Sequence, residues 1–502
     1  MSDLRTYRFA PPDRTGALLG LSGGQVVAMG SGLVVAVLLA SFASAGLLGM
    51  AMPVLIGALA AFVRIGGQPA VEAAPPALRW AVTGSPKRRR WLAPVTPPVT
   101  SGSTPPLPPA MAGQEILTVD PELYGLVGER PSPIAVVVDR KTGTYAATLR
   151  VVGSQFALLE HGEQEHRLEL WGSALAPLAR ERAPVSSVTW SEWAAPTGAG
   201  EQLAYLGDHA HADTSDPAQI SYRSLLSGAG PLATRHEVLI TVRVARDRVA
   251  VPSRHRHDKE AACIESLLEQ VRLLSRRLIA AALAPSSPLS PDELARVVRT
   301  RLDPPATAAL DRRGRSLGDL AGLVSVANAG PLATETAWGH WRVDGSFHRA
   351  FWMAEWPRQP VGPAWMSDLV LYGAVVRTVA VTGEPVPPRA SQRSIERAGA
   401  KLTSDEDHRR RTGFRVGAHH RRAQEDVDDR EAELVAGYAE FAYAGVVVVS
   451  ASDLDSLERA CADLDQAAAG CGIELRPLNG RHDLGVGASL PLARSLGPRR
   501  AW

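Results

Sequence analysis

The chain has 502 residues, enough for roughly two to three domains with sizeable cores, and a net charge of +2 from 54 basic and 52 acidic side chains. So even a balance excludes a chain built as a basic nucleic-acid-binding tail or as an acidic one; only Lys87, Lys141, Lys259 and Lys401 among the basic residues are lysines. Cys263, Cys461 and Cys471 are odd in number and lack framework spacing, which excludes a disulfide scaffold and points to reduced thiols in a cytosolic compartment.

Residues 1–24 read as a short cytosolic segment carrying Arg5, Arg8 and Arg14. Between Arg14 and Arg64 no residue is charged. An apolar run of about 20 residues crosses a bilayer, and this stretch is more than twice that. Residues 25–65 therefore predict a hairpin of two transmembrane helices, at about 25–44 and 47–65, with the small and polar stretch 41–46 as the turn. Pro53 falls in the first half of the second span, where neighbouring groups satisfy the freed carbonyl. Arg64, Arg79 and the cluster Lys87, Arg88, Arg89 and Arg90 follow, while the turn has no Lys or Arg. The positive-inside rule then places both ends, and the soluble body, on the cytoplasmic side of the cell membrane. The basic cluster beside Trp91 is placed to rest on anionic headgroups. Two other readings fit some of the same letters. A signal peptide cut after Ala43-Ser44-Ala45 would leave a mature chain that starts with another span, because the apolar run continues to Val63. A buried hairpin of a soluble core would need a charge-free run of a length rare in such cores.

Residues 66–129 read as an interfacial piece, at 68–80 with Trp80 at the headgroups, and a linker. The Pro-, Ser- and Thr-rich stretch 94–109 predicts an extended spacer that gives the body freedom relative to the membrane.

Residues 130–334 predict a first α+β lobe with a helical section. Strands are expected at 134–138 and 145–152 around a turn at 141–144, then a helix at 163–182 on the spacing of Leu168, Trp171, Leu175 and Leu178, then a strand at 185–193. That order begins a split βαβ unit. Weak helices at 199–211 and 219–226 precede a strong strand at 237–244. The longest helix is expected at 257–283, and Ser-Pro-Asp-Glu opens another at 290–302.

Residues 335–502 predict a second α+β lobe. Asp344-Gly345 turns a hairpin of 338–343 with 346–354. A short helix at 366–372 and a strand at 374–382 follow. A charged helical hairpin covers 390–440, broken near Thr412-Gly413. A valine-rich strand at 444–450, a helix at 454–469 opened by Ser452, Asp453 and Asp455, and a strand at 473–477 close the lobe. The fold class is thus α+β: a two-helix transmembrane hairpin followed by a cytosolic body of two α+β lobes with a helical middle. Element order suggests that the lobes are related.

The letters assign no catalytic, cofactor-binding or metal-binding residue. A P-loop needs GxxxxGK[ST], and only Lys141-Thr142 has the last pair, with Arg140 where glycine belongs. His209-Ala210-His211, with Asp208, Asp213, Tyr205 and Tyr222 nearby, has the letters of a metal-dependent nuclease, but nothing fixes a third ligand, and the segment reads as a solvated helix edge. His255, His257, His419 and His420 lie in arginine-rich runs and read as surface. Gly20-Leu21-Ser22-Gly23-Gly24 matches a nucleophile elbow by letter, yet it lacks the flanking strand and reads as a loop at the mouth of a span. The arginine runs 254–257, 312–315 and 409–422 mostly have acids close by, which favours salt-bridged helix faces, so direct nucleic-acid binding is not expected. Trp338, Trp341, Trp352 and Trp356 belong to the densest aromatic cluster, and one or two exposed ones would form a protein-docking hot spot.

Residues 12–90 resemble the PrgI family of conjugation proteins through Arg14-Thr15-Gly16, Leu19-Gly20-Leu21 before Gln25, the two spans, Gly67-Gln68-Pro69 and Leu78-Arg79-Trp80. Residues 130–495 resemble the amino-terminal, non-catalytic domain of VirB-type conjugative ATPases through Phe351-Trp352-Met353-Ala354-Glu355-Trp356-Pro357 and the ending GVGASLPLAR at 485–494. In that family the segment leads into a P-loop ATPase domain. Here the chain ends at Trp502. The resemblance then implies a non-enzymatic membrane scaffold of an actinobacterial type IV secretion-like or conjugative apparatus. It needs no cofactor and works in an oligomeric complex beside a separate P-loop ATPase and other membrane subunits. An EccE-like membrane subunit of a type VII system and a membrane-tethered nuclease are the alternatives.

Overall fold

The computed structural model describes residues 6–9, 23–41, 47–65, 68–82, 89–94, 107–124, 132–153, 156–197, 206–207, 216–229, 233–250, 258–306, 310, 326–411, 413, 415 and 417–494. It is a mixture of helices and strands. First come α1 (Gly23–Ser41) and α2 (Leu47–Phe62), then a two-residue antiparallel pair, β1 (Arg64–Ile65) with β2 (Gln68–Pro69), and α3 (Ala70–Val82). By length and composition α1 is able to cross a membrane, and α2 is a shorter apolar helix.

Among the described residues, the rest is organised on a single sheet of thirteen strands, β3 to β15, paired antiparallel throughout. Its first strand, β3 (Arg90–Leu92), precedes β4 (Gln114–Val119), β5 (Ile134–Asp139), β6 (Thr144–Val152), α4 (His161–Leu175), β7 (Val185–Thr197), α5 (Pro217–Ala229), β8 (Ala233–Ala245), α6 (Lys259–Ala280), β9 (Ala284–Pro288) and α7 (Pro291–Leu302). Then come β10 (Ala333–Thr336), β11 (Trp341–Val343), β12 (Ser346–Glu355), α8 (Ser367–Val370), β13 (Val376–Val386), α9 (Pro388–Arg411), α10 (Ala418–Val435), β14 (Glu440–Ala451), α11 (Leu454–Gly470), β15 (Glu474–Pro477) and α12 (His482–Ser489).

The same pairings occur twice. In the first set β6 pairs with β5, β8 and β9, and β8 pairs with β7. In the second β12 pairs with β11, β14 and β15, and β14 pairs with β13. The corresponding strands β7 and β13 then pair antiparallel from Val188↔Gly383 to Ala194↔Arg377. One sheet therefore runs through both sets, and β10 straddles the boundary expected at 334/335. The segment 66–129, expected as interfacial piece and linker, supplies β3 and β4 to this sheet and buries Met111 in its core. That part of it is framework; of the expected spacer at 94–109, residues 95–106 lie outside the described residues.

Period-two alternation fixes what each face of the sheet buries. On one face Val136, Val138, Leu149 and Val242 pack under α4 and α6. On the same face Met353, Val379, Val447 and Val449 pack under α11, and Trp190 touches both clusters. On the opposite face Val137, Leu239, Val343 and Val448 pack together with Leu294 and Val298 of α7 and with Val486, Leu490 and Leu492 of α12 and its tail. This second face is one cluster shared by both sets of strands.

Local signals place the elements. Ser290 and Glu293 form a reciprocal capping box that starts α7, and Asp453 caps α11 by accepting from the Ser456 N–H at 2.8 Å. Asp344 turns the β11–β12 hairpin with φ +47°. Its carboxylate takes the N–H groups of Leu332 and Ala333 and pairs with Arg299 at 2.6 Å, which offsets the strain of a left-handed non-glycine residue.

Two histidines are structural pins. His348 is fully buried between the Ser450 hydroxyl and the Leu302 carbonyl, each at 2.8 Å. His482 accepts the Ala350 N–H at Nδ1 and donates from Nε2 to the Trp338 carbonyl. Burial pushes both down from 6.5 to about 4. Between those values the unfolded chain holds the protons that the folded chain refuses, so stability falls as pH drops from about 6.5 towards 4. The melting temperature of the full chain in detergent should drop across this window, and H482Q, which keeps one acceptor and one donor, should make the slope shallower.

Candidate membrane-anchoring interface

α1 and α2 cross backbone to backbone. A Cβ on Gly32 would lie 2.6 Å from the Pro53 carbonyl oxygen, and one on Gly57 would lie 2.7 Å from that of Ala28. Glycine at both positions is what permits the approach, as small residues do wherever apolar helices touch closely. The Gln25 amide donates to the Ala61 carbonyl at 2.7 Å and ties the open end of the pair. The outward faces stay apolar: Val27, Leu33, Val34, Val37, Leu55 and Ile56 are all exposed. An uninterrupted apolar patch of this kind calls for an apolar environment or a partner.

The chain on either side of these helices is held by the 335–494 part of the body. Ahead of them, Tyr7 and Val361 exchange both backbone hydrogen bonds, at 2.8 and 2.9 Å. Two residues on, the Phe9 ring lies 4.9 Å from Trp365, 5.3 Å from Trp356 and 5.9 Å from Tyr443, centroid to centroid. Burial pushes the Tyr443 hydroxyl up to about 12, so it stays neutral under this aromatic lid. After the helices, Trp80 at the end of α3 meets Trp338 edge to face at 5.8 Å. Arg89 stacks over the Trp80 ring, 3.8 Å from its centroid, and donates to the Trp80 carbonyl. Arg90 then pairs with Glu335 as β3 joins β10. The apolar helices are thus gripped by a strap before them and a clip after them.

The expected site residues divide accordingly. Arg8 and Arg64 are exposed. Arg89 and Arg90, expected to face headgroups, are instead engaged with Trp80 and Glu335. Arg5, Arg14, Lys87 and Arg88 lie outside the described residues. Among the expected docking tryptophans, Trp341 is 1% exposed and fills the shared core, so it has no surface to offer. Trp338 is 40% exposed, and Trp352 and Trp356 are half-buried. His209, His211, Asp208, Asp213 and Tyr205 lie outside the described residues; Tyr222 is exposed on α5.

Tyr7, Phe9 and the partnership of Trp80 with Trp338 were missed, because they join residues more than 250 positions apart. A buried polar seam was missed as well. Glu192 on β7 pairs with Arg377 on β13, both without access to solvent, and holds His236 at 2.6 Å. Arg377 also donates to the carbonyls of Tyr372 and Val370. On the opposite face Arg243 donates to Thr189 at 2.6 Å and to the Leu492 carbonyl at 2.9 Å. Arg301 of α7 reaches Ser191 and Glu237. Burial pushes Arg243 down to about 9, and pushes Arg301 down despite Glu237. A charged residue inside an apolar strand, as in EVLITVRV, was the available signal.

Compared with known proteins, the chain matches no family profile and no curated protein.

Two outcomes follow from these contacts. F9A removes on the order of 2 kcal/mol of burial and ring contact, and the amides of Tyr7 and Val361 should exchange with deuterium many-fold faster, read by mass spectrometry of the full chain. E192Q should cost about 3–5 kcal/mol by stranding Arg377. The double variant E192M/R377M should cost less than the sum of the two single variants in thermal unfolding.

Proposed function

We propose that this chain is a membrane-anchored, non-catalytic structural subunit of a type IV secretion-like or conjugative apparatus, and that it docks a separate P-loop ATPase. Its α1 and α2 form a two-span hairpin in the cell membrane, with both ends and the body on the cytoplasmic side. α1 has 19 residues and rises about 28 Å, close to the ~30 Å hydrocarbon core. α2 has 16 residues, about 24 Å, so the hairpin thins the bilayer locally or draws in flanking residues.

The observation that carries this reading is the double grip on the helices. A body on a free linker moves independently of its anchor. A body held by Tyr7 and Phe9 before the helices, and by Trp80 and Arg89 after them, moves with it. That suits a part whose role is to present a fixed surface at the membrane. The two-fold recurrence of strand pairings suits a frame, and the partly exposed Trp338, with Trp352 beside the same sheet, offers the aromatic surface for the ATPase. The resemblance of residues 12–90 to PrgI proteins, and of 130–495 to the non-catalytic domain of VirB-type ATPases, supplies the secretion context.

The test is affinity capture of the tagged full-length chain from its native host in mild detergent, with mass spectrometry of what accompanies it. Co-purification of a P-loop ATPase and further membrane subunits is expected. Recovery of the chain alone from the membrane fraction would overturn the scaffold role, and recovery from the soluble fraction would overturn the anchor.

A further inference from the structure

α9 and α10 form an arm that leaves the sheet at Val386 and returns at Glu440. Its root is fixed: Arg430 and Ser391 both bind the Glu440 carboxylate, and Ile395 and Val427 are buried where the helices meet. Beyond the root the arm is solvated. With 24 residues α9 rises about 36 Å, far more than its own packing needs.

Charge is segregated along this arm. The fifteen residues 408–422 contain six arginines, three histidines and no acid. Below them sit Asp405, Glu406 and Asp407 on α9, and Glu425, Asp426, Asp428 and Asp429 on α10. The acids draw in some of the arginines: Arg410 pairs with Glu406, and Arg422 with Glu425 and Asp426. Arg411, Arg415 and Arg421 are exposed and make no ion pair among the described residues. Helix energetics account for only half the pattern. Cations in the last turn of α9 oppose its negative end, but Arg421 and Arg422 stand near the positive end of α10, where they weaken the helix.

We infer that the arm's tip docks on anionic phospholipid headgroups of the membrane that holds α1 and α2. This rests on the anchored reading above. A planar anionic surface can touch the tip while leaving the acidic collar in water. A nucleic acid following the arm would meet that collar and be repelled. The root of the arm also lies beside the strap: Tyr443, which packs on Phe9, is three residues into the strand to which the arm returns. Only thirteen residues, 10–22, separate Phe9 from α1, a reach of at most about 45 Å. The arm's root thus lies within a few residues of the strap that precedes the apolar helices, and α9 carries its tip about 36 Å from that root.

The full chain is reconstituted in nanodiscs of pure phosphatidylcholine or of phosphatidylcholine rich in phosphatidylglycerol. Chymotrypsin cleavage after Phe414, in the middle of the arginine segment, is then followed by mass spectrometry. Cleavage should slow by roughly tenfold or more in the anionic discs, and high salt should abolish the difference. The combined variant R411Q, R415Q and R421Q should be cut at nearly the same rate in both discs. Equal cleavage of the wild-type chain in both discs would overturn the inference and leave the anchor standing. Protection by an added single-stranded DNA oligonucleotide in neutral discs, with none from phosphatidylglycerol, would overturn it in favour of nucleic acid. Failure of the chain to enter either disc would overturn the anchored reading and this inference with it.

Discussion

The pairing of β7 with β13 is the constraint on which the remaining structure depends. Without it, two sets of strands would each present an unpaired edge, the arrangement most prone to mispairing with other chains. With it, seven residues of each strand are in register and the Thr189 and Thr382 hydroxyls bond at 2.8 Å across the join. The Glu192–Arg377 pair sits at this join in a position closed to water. Buried ion pairs are weak sources of net stability, because desolvation consumes most of the attraction. Their value here is register: a slip of one residue would turn Glu192 to the other face and strand Arg377 without a partner.

The join is locked from the opposite face by exchange. α7, from the first set of elements, ends on the hairpin of the second, where its Leu302 carbonyl accepts from His348 and Asp303 accepts from Ser346. The tail after α12, from the second set, ends on the first. There the Leu492 carbonyl takes Arg243, Gln114 takes the Ala493 N–H, and Arg494 pairs with Asp139 at 2.8 Å. Each half is therefore completed by the other. The shared hydrophobic cluster on this face follows directly, and so does the rigidity that makes a double grip on the apolar helices mechanically useful.

The grip itself relies on interactions of modest individual strength. An aromatic pair adds on the order of 1 kcal/mol beyond burial, and a two-bond strand addition little more. Phe9 gains by touching three rings at once, and Trp80 by contacting both Trp338 and Arg89. Such contacts hold a chain that is already nearby. Covalent continuity limits how far strap and clip can part from the apolar helices: thirteen residues separate Phe9 from α1, and Trp80 lies eighteen positions beyond the end of α2.

Much of the body was legible from local letters. The unbroken apolar run over 134–138, the Asp344-Gly345 turn, the Ser290 capping box and the apolar stripe from Cys263 to Leu278 each act through neighbours in sequence, and each element stands close to where those signals place it. The charge-free stretch before Arg64 likewise determined by itself that apolar helices come first. Short strands such as β3, β9 and β10 carry too few residues for a period to show, and they exist because a neighbouring strand offers its edge. The fate of the tryptophans was equally beyond local reading: Trp338 and Trp341 differ by three positions, and the pleat and the covering helices decide that one is exposed and the other is core. The sequence determined where helices, strands and charges lie along the chain, because those depend on spacing and propensity. Only the tertiary structure decided which arginines are buried, which aromatics meet and what grips the apolar helices, because those contacts join residues from different elements, 54 positions apart for Arg243 and Thr189 and 258 for Trp80 and Trp338.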